Sequence, residues 1–146
     1  MNETVTVDLG ARSYEIHLTA RTRSDDFLAA FRADLRRTWA GRSCRKVMVV
    51  TDRMIEPLAR DFADALTQAD FETRLSAIEP GEASKSREGL NRLHDALIDF
   101  RADRHTTVLA VGGGVVGDLA GFAAATYARG LPLFMVPTSL LAQVDS

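Results

Sequence analysis

The amino-acid sequence predicts an α/β fold built on a mostly parallel sheet, and three observations support this. Compact apolar runs rich in β-branched residues alternate with segments whose apolar residues recur every three or four positions. This alternation is repeated from residue 46 to residue 136. Parallel strands cannot be joined by a tight turn, so the intervening helices must cross over and cover both faces of the sheet. The sequence therefore predicts a doubly wound, Rossmann-like sheet.

A β-hairpin and a helix are predicted ahead of this sheet. Residues 4–9 and 13–18 alternate apolar and polar side chains around Gly10, which is the period of a half-buried strand. From Ser24 the apolar period becomes helical, behind an N-cap serine and two first-turn aspartates. The residues that carry this helical period are Phe27, Phe31, Leu35 and Trp39.

The strands of the sheet and the helices between them are predicted from the spacing of the apolar residues, which differs between the two kinds of element. Predicted strands cover residues 46–51, 71–78, 106–111 and 133–136. One predicted helix contains Ile55 to Leu66, a second ends near Phe100, and a third follows the glycines and ends at Arg129, with Gly130 as its stop signal.

Composition and charge narrow the class of protein. With 146 residues and 46% hydrophobic content, the chain is expected to fold as a single domain covering residues 1–146. The net charge of -2 provides no general attraction to nucleic acid or to an anionic membrane. The single cysteine, Cys44, excludes an internal disulfide, and neither a secretory signal nor a membrane-spanning run is found. We therefore expect a cytoplasmic protein.

Polar or backbone-permissive residues follow all four predicted strands. In an open parallel sheet, ligands bind outside the carboxyl ends of the strands. The residues at these positions are Asp52, the loop from Pro80 to Lys85, the glycines 112–114, and Thr138 with Ser139. The sequence thus predicts one ligand crevice at this edge of the sheet.

The stretch VLAVGGGVVGDLAGF, residues 108–122, contains the spacing of a dinucleotide-binding turn. Gly112, Gly114 and Gly117 match G-x-G-x-x-G between a strand and a helix, where backbone N–H groups can hold a pyrophosphate. The turn follows the third strand rather than the first, and Pro137 stands where a ribose-binding acid is expected. The acid must then be Asp52 or Glu82. The alternative is that the glycines form only a β–α corner.

Simpler explanations exist for the neighbouring polar residues. Asp118 is expected in the first turn of the glycine-led helix, where the helix dipole stabilises any carboxylate. Glu82 and Lys85 suit a solvated surface pair, and Thr138 and Ser139 suit an N-cap of the next helix. The three histidines lack the spacing of metal ligands.

Three stretches together resemble the amino-terminal domain of the 3-dehydroquinate synthase family: PGEASKS (80–86), VGGGVVGDLAGFAAATYARG (111–130) and VPTSLLAQVDS (136–146). The resemblance implies an enzyme that converts 3-deoxy-arabino-heptulosonate 7-phosphate to 3-dehydroquinate and phosphate. NAD would be used and regenerated in each turnover, with a divalent metal, zinc or cobalt, polarising the substrate oxygens. The alternatives are another sugar-phosphate cyclase, such as 2-deoxy-scyllo-inosose synthase, and a non-catalytic nucleotide-binding module.

The resemblance also implies a role for individual residues. Asp52, Glu82 and Lys85 would hold the adenosine ribose, and Gly113 and Gly114 the pyrophosphate. The rest of the cofactor path would be lined by Asp118, Thr138, Ser139 and Leu141. Asp145 would reach the substrate, and Arg129 would contact the substrate phosphate from across a dimer interface. Ser139 and Met54 depart from the residues usual in the family.

The family continues into a mostly helical second domain that carries the metal ligands, and no counterpart of that domain is found in these 146 residues. We therefore expect the chain to be the cofactor-binding half of the enzyme and to be inactive alone. The full-length enzyme is expected to act on a small molecule as a homodimer.

Overall fold

The computed structural model describes residues 2–19, 29–31 and 44–144. The chain divides into two compact units, Met1–Thr38 and Trp39–Ser146. In the first, strands β1 (Asn2–Val7) and β2 (Tyr14–Thr19) pair antiparallel around a short 3-10 turn, which confirms the predicted hairpin. Of the helix predicted from Ser24, only residues 29–31 are described, and they are helical.

The second unit contains a four-stranded parallel sheet in the order β4-β3-β5-β6, as predicted. Its strands are β3 (Lys46–Asp52), β4 (Glu72–Ile78), β5 (Thr107–Gly112) and β6 (Leu133–Pro137). Its helices are α1 (Glu56–Gln68), α2 (Arg87–Asp99), α3 (Gly114–Thr126) and the short α4 (Leu140–Val144). A 3-10 turn at Glu82–Ser84 precedes α2.

Helices cover both faces of this sheet. Alternate residues of the central strands, including Met48 and Val108, pack in one apolar cluster with α2 and α3. Side chains of successive strand residues point to opposite faces, so Val47 and Val49 face the other side, where α1 packs on β3 and β4. The buried face of α1 includes Phe62. The sheet is therefore doubly wound.

The strand order creates a topological switch point beside β3. The chain leaves β3 towards β4 on one side and later returns to β5 on the other side. Ligands of doubly wound sheets bind at the carboxyl ends of the two strands that flank such a point. The strand order thus predicts a ligand site at the ends of β3 and β5, at Asp52 and Gly112.

The end of α3 differs from the prediction. The helix stops at Thr126 rather than at Arg129, because Tyr127 is extended (φ -87°, ψ 135°). Ala128, Arg129 and Gly130 then adopt left-handed φ values of 46°, 69° and 101°. None of the helices in the described ranges is long and apolar enough to cross a membrane.

Candidate cofactor-binding site

The ends of the four parallel strands lie side by side at one edge of the sheet. Asp52 at the end of β3 is paired in register with Ile78 at the end of β4. Gly112 at the end of β5 is paired with Pro137 at the end of β6. The structure therefore brings the polar segments that follow these strands to the same edge, where the sequence predicts the crevice.

The glycine turn has two different parts. A Cβ at Gly112 would lie 2.5 Å from Cγ2 of Val116, so Gly112 is required for packing. A Cβ at Gly113 would meet only Ser139 Oγ, at 3.6 Å, and one at Gly114 would meet nothing within 4 Å. Gly113 and Gly114 do not have left-handed φ values. Their small size thus leaves open space beside the backbone at the start of α3.

Asp52 has a local structural role at the end of β3. Its Oδ1 accepts hydrogen bonds from the amides of Met54, at 2.9 Å, and Ile55, at 3.3 Å. These bonds fix the turn between β3 and α1. They hold the Asp52 carboxylate at the end of β3, the strand that neighbours β5 in the sheet.

The loop after β4 is held in a defined shape. Ser84 is buried, and its Oγ donates a 2.6 Å hydrogen bond to the carbonyl of Glu79. Ser86 caps α2 by accepting a 3.1 Å hydrogen bond from the amide of Gly89. A Cβ at Gly89 would overlap the carbonyl oxygen of Ser84, so α2 can approach the loop this closely only with glycine there.

Lys85 at the end of this loop bridges two carboxylates. Its Nζ lies 2.8 Å from Asp118 Oδ2 and 3.1 Å from Glu82 Oε1. The hydrogen bond to Asp118, and then the one to Glu82, raise the pKa of Lys85 above its ordinary value. The loop after β4 is thereby connected to helix α3, close to the glycine turn.

Asp118 does not lie where the sequence predicts it. It is the fifth residue of α3, beyond the first turn, which contains no acidic residue. The dipole explanation for Asp118 is therefore wrong, since the effect falls off within the first turn of a helix. Its contact with Lys85 accounts for its position instead.

Thr138 and Ser139 lie against the glycine turn. The amide of Thr138 donates a 2.9 Å hydrogen bond to the carbonyl of Gly112. Ser139 Oγ accepts a 3.2 Å hydrogen bond from the amide of Ala142, so the N-cap interpretation of Ser139 is confirmed. Leu141, on the same short helix, is 68% exposed.

One predicted site residue, Arg129, does not join this group, and another lies outside the described residues. Arg129 follows the far end of α3, and a helix of 13 residues is roughly 20 Å long. It therefore lies towards the opposite edge of the sheet from the crevice of its own chain. Asp145 lies outside the described residues.

A groove beside Lys85 was not predicted from the sequence. Its lining includes Arg87, Leu90, Asp118 and Phe122, and Phe122 is 58% exposed. The spacing of these residues did not reveal it because α2 and α3 contribute them from separate parts of the chain. In the described part of the chain, no three His, Cys, Asp or Glu side chains are grouped so that they could hold a metal ion.

The comparison with known sequences shows the family. The model of the 3-dehydroquinate synthase N-terminal domain matches residues 75–146. A 3-dehydroquinate synthase of Desulforamulus reducens is 44% identical over 144 residues, which are 98% of this chain and 38% of that protein. This chain belongs to the 3-dehydroquinate synthase family. It spans 38% of the length of that curated relative.

Solved structures similar to this member of the 3-dehydroquinate synthase family include sugar-phosphate cyclases. A 2-deoxy-scyllo-inosose synthase, solved with carbaglucose-6-phosphate, NAD+ and Co2+, has a TM-score of 0.81 at 22% identity. The match covers 98% of this chain and 37% of that one. A 2-epi-5-epi-valiolone synthase from Streptomyces hygroscopicus subsp. jinggangensis 5008, with NAD+ and Zn2+ bound, is 32% identical. The match covers 74% of this chain and 30% of that synthase, with a TM-score of 0.62.

Proposed function

We propose that this chain supplies the NAD-binding part of an enzyme that converts 3-deoxy-arabino-heptulosonate 7-phosphate to 3-dehydroquinate and phosphate. The observation that carries the proposal is the open space beside Gly113 and Gly114 at the start of α3. A pyrophosphate needs this kind of bare backbone at a helix N-terminus, where N–H groups and the helix dipole favour negative charge. The 44% identity with a named 3-dehydroquinate synthase supports the same conclusion.

The residues at the edge of the sheet fit the parts of NAD. Asp52 and Glu82 would accept hydrogen bonds from the adenosine ribose hydroxyls, with Lys85 beside them. The amides of Gly113 and Gly114 would bind the pyrophosphate. The remaining cofactor path would run past a set of residues on α3, on the segment after β6 and on α4, namely Asp118, Thr138, Ser139 and Leu141.

NAD, when bound, supplies a reversible hydride transfer, and the protein positions it. Reversible oxidation of a secondary alcohol of the substrate would acidify the neighbouring C–H and allow phosphate to leave by elimination, and NAD would be regenerated. The contribution of the described residues is to bind and orient the cofactor at the ends of β3 and β5.

Contacts with the substrate would come from Asp145 and Arg129. Because Arg129 lies about one helix length from the crevice of its own chain, it would act in the crevice of a second copy. Arg129 is exposed at the surface, where its side chain would be available to an anion. We therefore propose that the active enzyme is a homodimer.

A divalent metal is expected in the complete enzyme, as in the cyclases solved with Co2+ or Zn2+. The described residues do not form a site for it. We further propose that the enzyme acts in the cytoplasm on a small molecule and binds neither nucleic acid nor membrane.

The proposal is tested by assaying phosphate release from 3-deoxy-arabino-heptulosonate 7-phosphate, with NAD and Zn2+, by the protein as its gene encodes it. We expect release that depends on NAD, and we expect Gly114→Val to abolish it. The valine side chain would occupy the space proposed for the pyrophosphate, while the backbone at this position tolerates a Cβ without strain.

The control is Gly121→Ala, which lies on the same helix away from the turn and meets only Leu133 Cδ2, at 3.4 Å. This variant should retain activity. A wild-type protein that releases no phosphate, or one whose activity is unaffected by Gly114→Val, would contradict the proposed function.

A further inference from the structure

The charge cluster around Lys85 is built from two segments of the chain. Glu82 is three positions from Lys85 in the same loop and its side chain is 74% exposed. Asp118 belongs to helix α3 and makes the shorter contact, at 2.8 Å. The Lys85 ammonium group is therefore tethered to α3. Two carboxylates share one positive charge, which leaves the cluster negative.

We propose that Asp118 selects NAD over NADP by pairing with Lys85, so that the lysine charge is not available to a phosphate at the adenosine 2′ position. This inference rests on the proposed function, in which Glu82 accepts hydrogen bonds from the adenosine ribose. A 2′-phosphate carries about -1.5 to -2 charges, and it would meet this negative cluster at close range. The 2′-hydroxyl of NAD has no such repulsion and can donate to a carboxylate.

Removal of the Asp118 charge changes the net charge of the cluster, and it also releases the Lys85 side chain. The remaining Glu82 and Lys85 are together neutral. Lys85 then loses its closer partner, and its flexible side chain, 32% exposed, is free to reach towards an added phosphate. An ammonium group binds phosphate as a point charge without strict geometry. Acceptance of NADP should therefore increase.

Two simpler roles of Asp118 make different predictions. If the Lys85–Asp118 contact only fastened the loop to α3, its loss would lower the melting temperature without changing the ratio of NAD and NADP affinities. If Asp118 only contacted a part common to both cofactors, both affinities would fall by the same factor. The ratio of the two dissociation constants therefore isolates the role in selectivity.

The test is calorimetric titration of the protein with NAD and with NADP. The wild type should prefer NAD by at least about tenfold, since a close like-charge contact in partly wet surroundings has this effect. Asp118→Asn keeps the shape and removes the charge, and it should reduce this preference about tenfold. The double variant Asp118→Asn with Lys85→Met should regain the preference for NAD, because no ammonium group remains to bind the phosphate.

Asp95→Asn is the matched control. It removes the same charge from an exposed position on α2, eight residues beyond the first residue of that helix, which places it roughly 12 Å along the axis. The ratio of the NAD and NADP dissociation constants of Asp95→Asn should equal that of the wild type. An unchanged ratio in Asp118→Asn, or a changed ratio that persists without Lys85, overturns this inference alone. Failure of the wild type to bind NAD overturns the proposed function as well.

Discussion

The amide of Thr138 donates a 2.9 Å hydrogen bond to the carbonyl of Gly112, and this bond joins the end of β6 to the glycine turn after β5. It continues the pairing of the two strands by one residue beyond Pro137. As a result Ser139 Oγ lies 3.6 Å from the position of a Cβ on Gly113. The segment after β6 thus forms one wall of the space in which we place the cofactor pyrophosphate.

Gly89→Ala should destabilise the protein by about 2 kcal/mol, because the new Cβ would overlap the Ser84 carbonyl and force the loop and α2 apart. Helix propensity alone predicts the opposite sign, a gain of about 1 kcal/mol. Urea denaturation distinguishes the two. Gly121→Ala, where the Cβ has only an ordinary contact, should show the gain. A stabilised Gly89→Ala variant would mean that the loop and helix are not in close contact.

Ala128→Gly should stabilise the protein by about 1 kcal/mol, because Ala128 has a φ of 46° and glycine adopts left-handed values without the Cβ clash. Ala125→Gly is the matched control, since it makes the same substitution three residues earlier, in the last turn of α3. It should destabilise the protein, by less than the roughly 1 kcal/mol that glycine costs in a helix interior. Thermal melts of the two variants should therefore move in opposite directions, and a shift of both to lower temperature would refute the left-handed turn.

Asp103 should make stability depend on pH in the acid range. Burial alone would raise its pKa, but hydrogen bonds from the His105 amide, at 2.9 Å, and the Thr106 hydroxyl, at 3.2 Å, outweigh it and lower the pKa. A carboxyl whose pKa is lowered by folding stabilises the protein above its unfolded pKa. This contribution is lost as the pH falls through the folded value.

We therefore expect Asp103→Asn to be less stable than the wild type at pH 7, by roughly 0.5 kcal/mol because the site is exposed. The difference should shrink as the pH falls below about 4. Urea denaturation at several pH values measures it. Asp95→Asn, at an exposed position on α2, is the comparison. A difference that grows on acidification would show that the charged form is not the one favoured by folding.

The sequence predicts the sheet well because its strands and helices have clear and different apolar periods. It also indicates the crevice, since Asp52, Glu82 and the glycines each follow a strand and parallel strands end at the same edge. The contact between Lys85 and Asp118 was not predicted, because it depends on how α3 packs beside a loop distant in sequence.

The turn after α3 was not predicted for a different reason. A stop signal at Gly130 was visible, but Ala128 and Arg129 are residue types that rarely adopt left-handed backbone. Nothing in the local sequence indicates that the helix ends before them. The residue-by-residue assignments of the cofactor contacts stay predictions, since they follow from the family resemblance and not from a contact within the chain.

Binding of the NAD pyrophosphate by Gly113 and Gly114 can be measured by amide chemical shifts recorded during titration of the protein with NAD. We expect saturable shifts that are largest at Gly113, Gly114 and Ser139, with smaller ones at Glu82 and none along the strand β1. The Gly114→Val variant should show none of them. Binding with the largest shifts elsewhere, or shifts that persist in Gly114→Val, would contradict it.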